Sequence, residues 1–122
     1  MPQVNKGNKH TTMQIETLHV LDIELAKRVG IVGPYDFVNH GLRGYTSPDR
    51  WPTTFRPSLS ACDALMVAAS LNMHVQFQDR CVNAENDSGS SSHSHTGEIA
   101  DKLQAMCKAI MSLASITLDI PL

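Results

Sequence analysis

Leu25-Ala26-Lys27-Arg28-Val29-Gly30-Ile31, followed past Gly33-Pro34 by Val38-Asn39-His40-Gly41-Leu42-Arg43-Gly44, is the stretch on which the fold turns. Leu25 and Val29 are one helical turn apart, with Ala26 small enough for a helix crossing and Gly30 placed as a stop. Gly33-Pro34 then reads as a second helix start, because proline is tolerated at the first helical position. Over 34–45, Pro34, Val38, Gly41, Leu42 and Tyr45 fall on one helical face, and Tyr35, Asp36, Asn39, His40 and Arg43 on the other. Helix, glycine turn, helix is the layout of a helix-turn-helix, whose second helix enters the DNA major groove.

Upstream, residues 1–11 read as a polar, disordered tail. Ile15, Leu18, Leu21, Leu25 and Val29 keep helical spacing behind Thr12 as a cap, and Glu24 with Arg28 forms an i,i+4 pair. Met13, Ile15 and Thr17 also alternate, which leaves open a short strand before a helix starting at Asp22.

Downstream, residues 45–57 hold three prolines and read as an irregular connection. Ser58 or Ser60 then caps a helical region with the stripe Cys62, Met66, Ala69, Met73, Phe77 and Cys81. Residues 83–97, rich in Ser, Asn and His, have the composition of a mobile loop. Behind Thr96 as an N-cap, Ile99, Leu103, Met106, Ile110, Leu113 and Thr117 repeat with heptad-like spacing. That seam suits an antiparallel helix of the same chain or a second subunit. The expected fold is therefore all-α: one helical domain over 12–122, with a helix-turn-helix-like part (12–57) and an antiparallel helical hairpin (58–122).

The chain has 122 residues and a formal net charge of −2, which by itself predicts no polyanion partner. Its distribution is more informative. Residues 24–56 carry Lys27, Arg28, Arg43, Arg50 and Arg56 against Glu24, Asp36 and Asp49, a net of +2, whereas residues 57–122 carry a net of −4. Positive charge thus coincides with the helix-turn-helix stretch. No apolar run approaches the roughly 18 residues of a membrane span. The first ten residues have no apolar segment of a signal peptide. Three cysteines far apart, at 62, 81 and 107, fit reduced thiols and a cytoplasmic setting.

The stretch 25–44 resembles phage-type repressors, which read leucine-alanine, three residues, glycine and a branched residue, then a helix closing on a leucine-arginine-glycine end like Leu42-Arg43-Gly44. Phe55-Arg56-Pro57-Ser58-Leu59-Ser60-Ala61-Cys62-Asp63-Ala64-Leu65-Met66 resembles the next helix of small lysogeny regulators of the CII type, so the likeness spans residues 22–70. In that pattern a branched apolar residue stands six positions after the turn glycine; here the position is Asp36. The resemblance implies a sequence-specific, double-stranded-DNA-binding transcriptional regulator that dimerises through the 99–117 helix. Tyr35, Asn39, His40 and Arg43 would then reach base edges, with Lys27, Arg28 and Arg50 on phosphates.

Other chemistries find less support. His93 and His95, with Cys81 or Asp87, could approach a metal only on an extended loop, and the spacing is unlike that of structural zinc sites. The cysteines lie on apolar stripes, where a thiol is packing, and no nucleophile elbow, phosphate loop or His-Glu-x-x-His occurs. A non-enzymatic protein without cofactor is expected. The alternative to the regulator is a protein-interaction module, a small inhibitor, antitoxin-like or anti-defence protein working through its helical surface. Trp51 and Phe55 fit best as plugs between helices.

Overall fold

A computed structural model describes residues 20–39 and 41–122. The architecture is mixed α/β, so the all-α expectation is corrected. Residues 20–28 are helical (α1) and lead into β1 (Ile31–Val38), β2 (Gly41–Thr46) and β3 (Pro52–Phe55). After α2 (Ala61–Ser70) come β4 (His74–Phe77), β5 (Cys81–Asn86), β6 (Gly89–Ser94) and the long α3 (Ile99–Leu118). Each strand triplet forms its own antiparallel sheet, sheet A in the order β1-β2-β3 and sheet B in the order β4-β5-β6. The layout is therefore a three-stranded meander followed by a helix, used twice. The helix start expected at Thr12, the alternative strand at 13–17 and the tail 1–11 lie outside the described residues.

The first half of the helix-turn-helix reading exists and the second does not. Leu21, Leu25 and Ala26 of α1 are buried, and the helix gives way at Gly30, which takes the left-handed φ of 87°. The chain then extends instead of coiling. Ile31, Val32, Tyr35, Phe37 and Val38 are β-branched or aromatic and favour a pleated, half-buried strand. The apparent helical stripe Pro34, Val38, Gly41, Leu42, Tyr45 is divided between two strands, with Val38 pairing to Gly41 across the turn. The two glycines of β2 permit close approach. A Cβ at Gly41 would collide with the Phe55 carbonyl, and one at Gly44 would lie 2.8 Å from Ile31 Cγ2.

The C-terminal helical hairpin is also corrected. Of the expected helix after residue 58, only Ala61–Ser70 forms, capped by the Ser60 hydroxyl accepting from Asp63 N–H at 3.3 Å. The stretch beyond it becomes β4, and 83–97, expected as a mobile loop, is mostly the β5–β6 hairpin. Its tight end is an Asx turn in which Ser88 N–H donates to Asn86 Oδ1 at 2.9 Å, followed by Gly89.

Met106, Ile110 and Leu113 are buried as the heptad seam requires, but α3 lays them on β5, β6 and α2 of its own chain. Ala105, Ala109 and Ala114 keep that approach close, while Ile99 and Leu103 at the start of the seam are exposed. Thr96 does not cap α3; Glu98 occupies the N-cap position, and the Thr96 hydroxyl donates to the Asp101 carboxylate. Side chains from α1, both sheets, α2 and α3 share one buried cluster that includes Leu21, Leu42, Phe55, Val67, Val82 and Ile110. Burial of a side chain the size of Phe55 contributes up to about 3 kcal/mol. Among the described residues no helix is long and apolar enough to cross a membrane.

Candidate binding face on sheet A

Strand alternation puts one set of β1, β2 and β3 side chains toward the core and the other outward. Leu42 faces Phe37 on β1 and Phe55 on β3, which sets the inner face. The outer face carries Arg43, opposite Asp36 and Thr54, and Tyr45, opposite Val32 and Pro52. Between Val32 and Asp36 the β1–β2 register shifts, a bulge that includes a cis Gly33-Pro34 bond. Bulges re-aim side chains. Here Tyr35 turns its hydroxyl to the Ile31 carbonyl at 2.9 Å, and its ring passes over Gly44, where a Cβ would come within 3.1 Å of Tyr35 Cδ1. Pro34, Tyr35, Asp36, Arg43 and Tyr45 line a shallow cavity of about 160 Å³.

The β2–β3 loop extends this face. The Arg50 guanidinium lies 5.8 Å from the centre of the Tyr45 ring, a cation–π distance. Arg50 has a left-handed φ of 61°, held by its N–H donating to the Thr46 carbonyl at 2.7 Å. Trp51, the next residue, is 68% exposed. The loop base is tied by Thr46 N–H to the Trp51 carbonyl (2.9 Å), Trp51 N–H to the Thr46 hydroxyl (3.1 Å) and Ser47 N–H to the Gly30 carbonyl (3.1 Å). Of the two expected plugs, Phe55 is buried and Trp51 stands out from the surface.

The residues expected to meet DNA are redistributed. Tyr35, Arg43 and Arg50 converge on sheet A. Asn39 is exposed in the β1–β2 turn, Lys27 and Arg28 are exposed at the end of α1, and His40 lies outside the described residues. Lys27 is engaged with Glu24 at 3.4 Å. Tyr45, Trp51, Asp36 and Pro34 belong to the same region. The sequence reading notes Tyr45 and Trp51, with Arg50 and Arg56, as a cation–aromatic mix of the kind binding loops use, but favours Trp51 as a plug. It gives Asp36 and Pro34 no binding role. Period-two spacing from the already assigned Arg43 is the signal that could have found Tyr45.

Elsewhere the polar groups serve the fold. The inner face of β6 directs His93 Nε2 to Ser112 Oγ on α3 at 3.2 Å, and burial together with Lys108 lowers the His93 pKa. His95 Nδ1 accepts from Gly97 N–H at 2.9 Å. No group of three or more His, Cys, Asp or Glu that could hold a metal occurs among the described residues. Cys107 is buried with a raised pKa, first by desolvation, Cys81 Sγ donates to Gln78 Oε1 at 2.9 Å, and Cys62 is exposed. Asp22, 9% exposed on α1, has its pKa raised by burial to about 7. Comparison of the chain with family models, curated proteins and solved structures finds no match.

Proposed function

We propose that the protein is a non-enzymatic DNA-binding protein that grips single-stranded or locally unpaired DNA on the outer face of sheet A. The observation that carries this reading is Arg43 and Tyr45 side by side on the outer face of β2, with Arg50 over the Tyr45 ring and Trp51 exposed next to it. Aromatic rings supply stacking platforms for bases, and arginines follow the phosphate backbone. The face belongs to the half of the chain with net positive charge, so a polyanion is drawn to it and repelled by the acidic remainder. Binding acts by occupancy, with no bond made or broken. Three unpaired cysteines support a reducing, cytoplasmic setting.

Trp51 is the sole tryptophan of the chain and reports binding directly. Titration with single-stranded oligonucleotides quenches its fluorescence, with an affinity that falls steeply as salt rises. Replacing Arg43 and Arg50 together by alanine weakens binding at least about tenfold and reduces the salt slope. Unchanged fluorescence and no salt-dependent binding would refute the reading. Preferential binding of duplex would move it to a β-ribbon laid in the major groove.

The apolar outer face of α2 favours a second reading, a protein-interaction module with a helical working surface. Under it, Leu65→Lys abolishes activity in the cell, and the arginine replacements on sheet A leave it intact.

A further inference from the structure

One corner of sheet A carries charges of both signs. Asp36 on β1 stands directly opposite Arg43 on β2, and both are exposed. Opposite charges so placed commonly pair, yet neither side chain makes an ion pair or hydrogen bond among the described residues. Both line the shallow cavity of about 160 Å³, where Pro34 and Tyr45 add apolar surface and the Tyr35 hydroxyl is already spent on the Ile31 carbonyl. That volume is below the roughly 300–1,000 Å³ of pockets that enclose a whole small molecule, so it admits the edge of one planar ring. A phosphate does not suit it, because phosphate oxygens only accept and the Asp36 carboxylate repels them. The occupant must donate to a carboxylate and accept from a guanidinium at once.

We infer that the Asp36–Arg43 cleft reads a guanine base of the bound strand. The inference rests on sheet A being a strand-binding face and adds which base that face selects. Guanine presents two adjacent donors, N1–H and the N2 amino group, beside two adjacent acceptors, O6 and N7. An ionised carboxylate accepts from both donors, and the forked guanidinium donates to both acceptors. Cytosine and adenine offer the carboxylate one amino group, and thymine sets one donor between two acceptors, so each leaves part of the pair unmatched. Adjacent strands lie about 4.8 Å apart, which lets the two side chains flank one base. In a duplex the guanine N1–H is used in pairing, whereas an unpaired base shows both edges. Arg50 and Trp51, on the neighbouring loop, remain for phosphate and stacking.

Trp51 fluorescence titrations of the full chain test it, with an oligothymidylate and with the same strand carrying one central guanine, cytosine, adenine or hypoxanthine. Guanine tightens binding at least about fivefold over thymine, and more than cytosine or adenine does. Hypoxanthine, which lacks the N2 amino group, loses a large part of that gain with the protein unaltered. Asp36→Ala abolishes the guanine preference and leaves oligothymidylate binding intact or tighter, because a negative charge has gone from the face. Its thermal melt matches the wild type, since Asp36 is exposed and unpaired. Equal affinity for all the strands overturns the guanine inference while the strand-binding reading stands. So does a guanine preference that survives Asp36→Ala. Binding of no strand at all overturns both.

Discussion

Sheets A and B have the same three-stranded meander order and each is followed by a helix, yet their outer faces differ in kind. Sheet B presents His74, Gln76, Asn83, Glu85, Ser90 and Ser92 on its outer face, with the Ser92 hydroxyl donating to Asn83 Oδ1 at 2.7 Å. Its exposed Phe77 stands at the end of β4 opposite Val82, away from that polar face. Sheet A presents Arg43, Tyr45 and, through its β2–β3 loop, Arg50 and Trp51. Within one chain, sheet B is the solvated internal control for sheet A. A tryptophan left in water beside arginines and a half-buried tyrosine is typical of surfaces that bind something.

The helices repeat the contrast. α3 spends its apolar face on sheet B and α2, whereas the ten-residue α2 has apolar residues left over.

The largest expected effect asks whether the two halves are one folding unit. Phe55→Ala in sheet A costs about 3–5 kcal/mol, and Ile110→Ala under sheet B about 2–5 kcal/mol, both by truncation of a fully buried side chain. Urea unfolding should show one transition shifting for either variant. Two separable transitions would divide the shared core into independent halves.

A second test uses pH, to which the halves respond with opposite sign. Asp22 has its folded pKa raised to about 7, so the folded state holds an extra proton between the unfolded carboxylate value and neutrality. The contribution of Asp22 is therefore fully present below about pH 4 and is lost as pH rises toward 7, by an amount on the order of 4 kcal/mol. Asp22→Asn removes most of that slope and stabilises the protein at pH 8. His93 has its pKa lowered by burial and then by Lys108, so its contribution is present above the ordinary histidine pKa and lost as pH falls below it. Thermal melts of wild type, Asp22→Asn and His93→Gln across pH 4–8 separate the two. A flat Asp22→Asn difference across the range would contradict the burial argument.

Gly44→Ala sharpens the comparison locally. The added methyl meets Ile31 Cγ2 at 2.8 Å and the Val32 carbonyl at 2.9 Å, so sheet A must shift, at a cost of about 1–3 kcal/mol. Melting by circular dichroism checks it. Because Gly44 stands between Arg43 and Tyr45 in β2, affinity for single-stranded DNA should fall further than in a variant of equal stability loss in sheet B. Smallest is Ser60→Ala, which removes the α2 cap for about 1 kcal/mol by urea denaturation.

Helix boundaries were legible in the sequence and the two sheets were not, for physical reasons that can be named. Gly30 and Ser60 act locally, through one φ angle and one hydroxyl, and both stand where sequence rules put a helix stop and a helix cap. Residues 31–46 were not legible as strands because three glycines and a proline obscure the period of two. Gly33-Pro34 resembles a helix start but belongs to a bulge, and Gly41 and Gly44 answer to Phe55 and Tyr35, partners distant in the chain or off-register. Ser-rich β6 looked like a loop because its pairing with β5 and packing under α3 outweigh poor intrinsic preference. For the candidate site, Tyr35, Arg43 and Arg50 were picked for a helix in a groove; it is the hairpin that brings them together.

The hydrogen bonds at the base of the β2–β3 loop have a kinetic meaning. Ser47 N–H on the Gly30 carbonyl ties the display of Arg50 and Trp51 to the end of α1, and Thr46 locks the loop from within. A loop set before its ligand arrives gives up little freedom on contact, so tight binding would appear as slow departure instead of fast arrival. Loosening that base would shorten residence time while leaving every contacting side chain in place.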